Sequence, residues 1–135
     1  MIFIDTGYLL AVVSPRDTLH ICSQLWAPAI REPLLVTEYV LWEMVNGLSM
    51  PKDRPKAHAL LAHIRAATDC EVVAASQELF QAGLQRHADR SDKEWSLTDC
   101  LSFIVMERRA IRRALTYDHH FEQAGFEALL RRNPP

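Results

Sequence analysis

The reading of "SLTDCLSFIVMERRAIRRALTYDHHF", Ser96–Phe121, decides the fold. Ser96-x-x-Asp99 has the form of a capping box, in which hydroxyl and carboxylate each accept a backbone N–H at a helix start. An apolar helix follows through Leu101, Ile104 and Val105 and runs to about Arg109. "RALTY", Arg113–Tyr117, reads as a buried strand. Asp118 comes directly after it and opens a short helix that Gly125 stops, glycine being the natural residue past a helix C-terminus. A carboxylate in or beside buried structure is costly unless something pairs with it. Asp99 and Asp118 are therefore either caps and turn formers or groups that face a cation in a cleft.

Outward from this segment the same alternation repeats. "IFI", Ile2–Ile4, is a short apolar strand ending near Asp5. Pro15 and Asp17 open a helix that carries Leu19, Cys22, Leu25, Trp26 and Ala29. "LLVT", Leu34–Thr37, is a second strand, and Thr37 caps a helix with Val40, Leu41, Met44, Val45 and Leu48 facing inward. Asp53 and Pro55 start a helix through Leu60, Leu61 and Ile64. "CEVVAA", Cys70–Ala75, is a third strand. Ser76 caps a helix with Leu79, Phe80, Gly83 and Leu84 on one face, and His87–Glu94 reads as a loop. "FEALL", from Phe126, is a fifth strand. Strands alternating with helices predict an α/β fold: a parallel β-sheet of four to five strands flanked by helices on both faces, in one domain spanning 1–135.

The composition suits such a core. The 135 residues are 49% hydrophobic and 24% charged, with a net charge of −2. Cys22, Cys70 and Cys100 show no metal-site spacing and are odd in number, which favours a reducing, cytoplasmic setting over a disulfide framework. No apolar run approaches the ~18 residues of a membrane span. Asp5 interrupts the N-terminal apolar run, which has no basic leader. The weak net charge does not point to a nucleic acid. The cluster Arg108, Arg109, Arg112 and Arg113 offers a local basic patch, which weighs more than the sum, although basic residues also gather at helix C-termini for electrostatic reasons.

Four acids fall where sites form in α/β sheets, outside the carboxyl ends of strands. Asp5 ends the first strand, Asp118 follows the fourth, Asp99 sits in a first helical turn, and Glu43 lies between Trp42 and Met44 in the second helix. Each has a plain structural alternative as turn former, cap or solvated residue. If they converge, they cannot all ionise at close range without a cation. Oxygen ligation suits Mg²⁺ or Mn²⁺, and such a site serves phosphodiester hydrolysis. The hydroxyls of Thr6, Thr98, Ser102 and Thr116 would orient the carboxylates. Trp26, Trp42 and Trp95 read first as core or interface residues; Trp95, in the loop before the Asp99 helix, is the one that could instead stack on an unpaired base. His119 and His120 could be metal ligands, but adjacent histidines in a turn are usually exposed; Asp92 and Glu94 read as solvated loop acids, with assistance to the metal as the lesser option. A phosphatase with an aspartyl nucleophile at Asp5 would need an acid two residues on, where Gly7 stands. A receiver domain would need a late lysine, and none follows Lys93.

"IFIDTGYLLAVV", "TEYVLWEMVN", "SLTDCLSFIVM" and "ALTYDHHFEQAGF" resemble the four signature segments of PIN-domain ribonucleases, and among these the VapC-like toxins of toxin–antitoxin pairs. The likeness covers almost the whole chain, in order. It implies a three-layer PIN-like fold and a Mg²⁺- or Mn²⁺-dependent endoribonuclease. It places Asp5, Glu43, Asp99 and Asp118 as metal-binding catalytic acids, with Thr6, Thr98 and Thr116 at the hydroxyl positions beside them. It also implies an RNA substrate, a small antitoxin protein as partner and a homodimer. The alternative within the same architecture is a module that binds RNA or protein without cutting.

Overall fold

The computed structural model describes residues 1–135. The elements run β1 (Ile2–Ile4), α1 (Thr6–Val13), α2 (His20–Trp26), β2 (Leu34–Thr37), α3 (Glu38–Gly47), α4 (Arg54–Ala66), β3 (Cys70–Val73), α5 (Gln77–Asp89), α6 (Leu97–Arg108), β4 (Arg113–Leu115), α7 (His119–Gln123) and β5 (Glu127–Ala128). All strand pairs are parallel, in the order β3-β2-β1-β4-β5, with helices on both faces in three layers. β1 is central, with Phe3 opposite Leu35 on one side and Ala114 on the other. The chain winds outward from β1 to β3, then crosses to β4 and winds the other way. The C-terminal ends of β1 and β4 therefore flank the point where the winding reverses, which is where open α/β sheets form their crevice.

Local chemistry sets the boundaries. Ser76 and Thr37 accept the N–H groups of Leu79 and Val40, capping α5 and α3. Both halves of the capping box form at α6, between Ser96 and Asp99. Gly125, at φ 93°, ends α7 in the left-handed conformation that glycine adopts without penalty. Helix α6 is buried from Asp99 to Met106, so its apolar residues surround it instead of forming one stripe. Phe103 anchors the core there, with its ring edge-on to both Trp95 and Phe121 at 5.0 Å. α5 approaches α6 closely because position 83 is glycine; a Cβ there would lie 2.6 Å from a methyl carbon of Leu101.

Several boundaries differ from the sequence expectation. Helix α1 is not legible as periodicity, because "TGYLLAVV" is apolar nearly throughout. α2 begins at His20 instead of near Pro15, since the Asp17 carboxylate accepts the Leu19 N–H and closes a turn. α5 continues through His87 to Asp89, so the loop is shorter than expected. β3 and β4 stop at Val73 and Leu115, and β5 is only two residues long.

Candidate active site

Asp5 leaves the end of β1 and caps α1. Its Oδ1 accepts the Thr6 N–H at 2.8 Å, and its Oδ2 accepts the Thr116 hydroxyl at 2.7 Å. The same Thr116 Oγ1 accepts the Asp118 N–H at 3.0 Å. One buried hydroxyl thus ties the ends of the two central strands and fixes both aspartates. Thr6 donates to Glu43 Oε1 at 2.7 Å, linking α1 to the middle of α3. Asp99 lies in the first turn of α6, where its Oδ2 accepts the Ser96 N–H at 3.0 Å. Asp118 caps α7 through the His120 N–H at 2.9 Å.

These four acids line one open cleft of about 610 Å³, together with Glu94 and His120. Burial pushes the Asp5 carboxyl up to about 7, against the two hydrogen bonds from Thr116 and Thr6, and the charges of Asp99 and Asp118 push the same way. Burial also raises Asp99, helped by Asp118 and opposed by the Ser96 N–H and His120. Carboxylates crowded this way favour either a shared proton or a cation.

His120 is the residue that sequence reasoning placed wrongly. It is not an exposed turn residue: its Nδ1 is buried, 3.3 Å from Asp99 Oδ2 and 3.2 Å from Asp118 Oδ1, with no aligned hydrogen-bond partner. An orphaned nitrogen between two carboxylates fits a site built to hold a divalent cation, and the remaining donors are the oxygens such a cation prefers. The sequence signal was its position two residues after a helix-capping aspartate. Arg131 had no such signal. The bond from the Leu130 N–H to the Thr116 carbonyl folds the C-terminal segment back and brings Arg131 into the cleft wall, where its guanidinium covers the Tyr117 ring and pairs with Glu122.

Other expected residues lie elsewhere. Thr98, one residue before Asp99, is turned about a third of a helical circle away and lines a separate groove with Trp42 and Phe80. The Ser102 hydroxyl is buried without a partner and does not line the cleft. Trp95 is buried on Phe103 with its Nε1 donating to Gln123, so its ring offers no platform to a base. Arg108, Arg109 and Arg113 are ion-paired to Glu78, Glu71 and Glu32, and no member of the 108–113 cluster lines the cleft. Asp92 is paired with Arg90, whereas Glu94 does face the cleft.

The PIN domain family model matches residues 2–127. The chain belongs to the PIN-domain family. It is 29% identical over 131 residues to the 23S rRNA-specific endonuclease VapC20 of Mycobacterium tuberculosis, covering 93% of this chain and 95% of that one. The crystal structure of that VapC20, described as a sarcin–ricin loop cleaving toxin, matches with a TM-score of 0.82 at 27% identity over 93% of this chain and 96% of its own. A toxin–antitoxin complex from Klebsiella pneumoniae (TM-score 0.62, 13% identity, 88% of each chain) and FitAcB from Neisseria gonorrhoeae (0.65, 14%, 95% of each) share the fold. PIN-domain nucleases generally use divalent metal ions. No helix of this PIN domain is long and apolar enough to cross a membrane.

Proposed function

We propose that this chain is an endoribonuclease dependent on Mg²⁺ or Mn²⁺, acting as the toxin of a toxin–antitoxin pair in the cytoplasm. The observation that carries the reading is the meeting of Asp5, Glu43, Asp99 and Asp118 in one cleft where the winding of the sheet reverses. These four carboxylates, with His120 beside them, are the groups that would hold the metal. Bound there, a divalent ion supplies an activated water and neutralises charge that develops on the scissile phosphate.

The chain's own residues do the rest. The Thr6 N–H and the Thr116 hydroxyl each hold one oxygen of Asp5, and the Thr6 hydroxyl holds Glu43 Oε1, leaving Glu43 Oε2 and the outward lone pairs of Asp5 for the cation. The capping bonds of Asp99 and Asp118 hold those side chains rigid on helix N-termini, which favour negative charge. The relative's action on 23S rRNA makes ribosomal RNA the first substrate to test. The toxin–antitoxin relatives support a small antitoxin as partner, and exposed Trp42 and Phe80 support a homodimer.

The test is cleavage of purified 23S rRNA by the full chain in Mg²⁺ or Mn²⁺. Cutting should stop in EDTA. Asp99→Asn should lower the rate by at least about 100-fold, the upper end of what loss of a group that merely supports a metal ligand costs, and should keep the fold, because asparagine retains an oxygen for the Ser96 N–H. An Asp99→Asn protein that folds and cuts at the parent rate would refute the role of this residue.

A further inference from the structure

The chain has fifteen lysines and arginines. Seven arginines are held in ion pairs with acids, among them three of the 108–113 cluster. Of the eight cations left without an acid, three gather in one place. Arg16, Lys52 and Lys56, all exposed, line one polar depression of about 390 Å³ with Ser14, Pro15 and Asp53. Asp53 is the only acid between Glu43 and Asp69. Helix α4 itself carries Arg54, Lys56 and Arg65 and no acid at all. Arg54, in the same turn, spends its Nε on the Ser49 carbonyl and keeps its charge.

This patch lies beside the acidic cleft. Leu19 lines the cleft and Arg16 lines the patch. Three residues span at most about 11 Å even when fully extended. Here the segment is folded more tightly, with the Asp17 N–H on the Ser14 carbonyl and the His20 N–H on the Asp17 carbonyl. At an axial rise of about 3.4 Å per charge along one strand of a helical stem, that ceiling corresponds to at most about three nucleotides. The cleft's carboxylates repel a polyanion wherever no cation neutralises them, so cations just outside it add attraction.

We propose that Arg16, Lys52 and Lys56 form the phosphate-binding patch that holds the RNA backbone a few nucleotides from the bond being cut. The proposal rests on the ribonuclease reading above. It assigns RNA affinity to the α1–α2 turn and the start of α4, away from the arginines that the sequence singles out. The contacts are to phosphates, so they carry affinity and register without base specificity.

The experiment measures binding of a fluorescein-labelled RNA hairpin to the full chain by anisotropy, in EDTA so that nothing is cut, over a salt series. The variants are Arg16→Ala, Lys52→Ala and Lys56→Ala, singly and combined, with Arg112→Ala as a control outside the patch. None of the three side chains is in an ion pair, and the single variants guard against a combined effect on folding. Each single variant should flatten the plot of log affinity against log salt by about 0.7, and the triple by about 2, or about 100-fold in affinity at 0.1 M salt. Arg112→Ala should leave the slope unchanged. Parent protein that neither binds RNA here nor cleaves 23S rRNA in Mn²⁺ would defeat the ribonuclease reading itself, whereas parent that cleaves in Mn²⁺ without binding in EDTA would overturn the patch. Parent binding with an unchanged slope in the triple variant would overturn the patch alone. Labelled polyglutamate is run as a second probe; if the triple variant loses it while RNA binding stays intact, the proposal is overturned and the surface belongs to an acidic protein segment.

Discussion

Asp5→Asn should make the metal-free protein more stable and remove much of its pH dependence. Asp5 is held in its protonated form up to about 7, against an ordinary 3.8, first of all by burial. Below pH 4 the carboxyl is protonated in the folded and unfolded chains alike and contributes nothing. Between pH 4 and 7 the unfolded chain has released this proton and the folded chain has not. The native state then binds more protons, and stability falls as pH rises. Above 7 both forms are ionised and the loss is constant. Each pH unit of the rise is worth about 1.4 kcal/mol, so the ceiling is about 4 kcal/mol. Water entering the open cleft softens this, and half of it, about 2 kcal/mol, is the expected gain for Asp5→Asn at pH 8. For a chain of this size that is about 8 °C in thermal midpoint. Asparagine keeps an oxygen for the Thr6 N–H, and the Thr116 hydroxyl can rotate to accept from the new amide. The assay is a set of thermal melts in EDTA from pH 4.5 to 8.5, repeated with Mn²⁺. Mn²⁺ should raise the midpoint of the parent more than that of the variant, because the ionised Asp5 gains a partner. A metal-free parent whose midpoint exceeds that of Asp5→Asn at pH 8 would refute the reasoning.

Thr116→Val keeps the side-chain shape but removes the hydroxyl that binds both Asp5 and the Asp118 N–H. It should cost about 1–3 kcal/mol in denaturant unfolding and slow single-turnover cleavage about 10–100-fold; parent values in both would show that the hydroxyl positions nothing. Trp42 is 69% exposed and shares an apolar groove with Phe80 and Leu101. The proposed homodimer predicts that Trp42→Glu shifts sedimentation equilibrium from dimer toward monomer while leaving the monomer folded; a monomeric parent would refute the dimer, and a dimer of undiminished affinity would place the interface elsewhere.

The order and type of most elements were legible in the sequence, because their signals are local. A capping box depends on residues three apart, and a glycine stop on one backbone angle. Short apolar strands between amphipathic helices follow from burial on both faces of a parallel sheet. The four acids stood out as costly residues near strand ends and helix starts. Helix α1 escaped periodicity because it is apolar on nearly every side. Convergence was a different matter. Asp5 and Thr116 are 111 positions apart and Thr6 and Glu43 are 37 apart, and no local rule couples such pairs. Their meeting depends on the strand order, which sets β4 directly beside β1. Likewise, an arginine cluster reads as positive in one dimension, but Glu32, Glu71 and Glu78 reach it only once the chain is folded. Charge and hydrogen-bond partners are decided by distance in space. The tertiary structure therefore made His120 part of the cleft, closed Trp95 into the core and left Arg16, Lys52 and Lys56 together as unpaired cations beside the cleft.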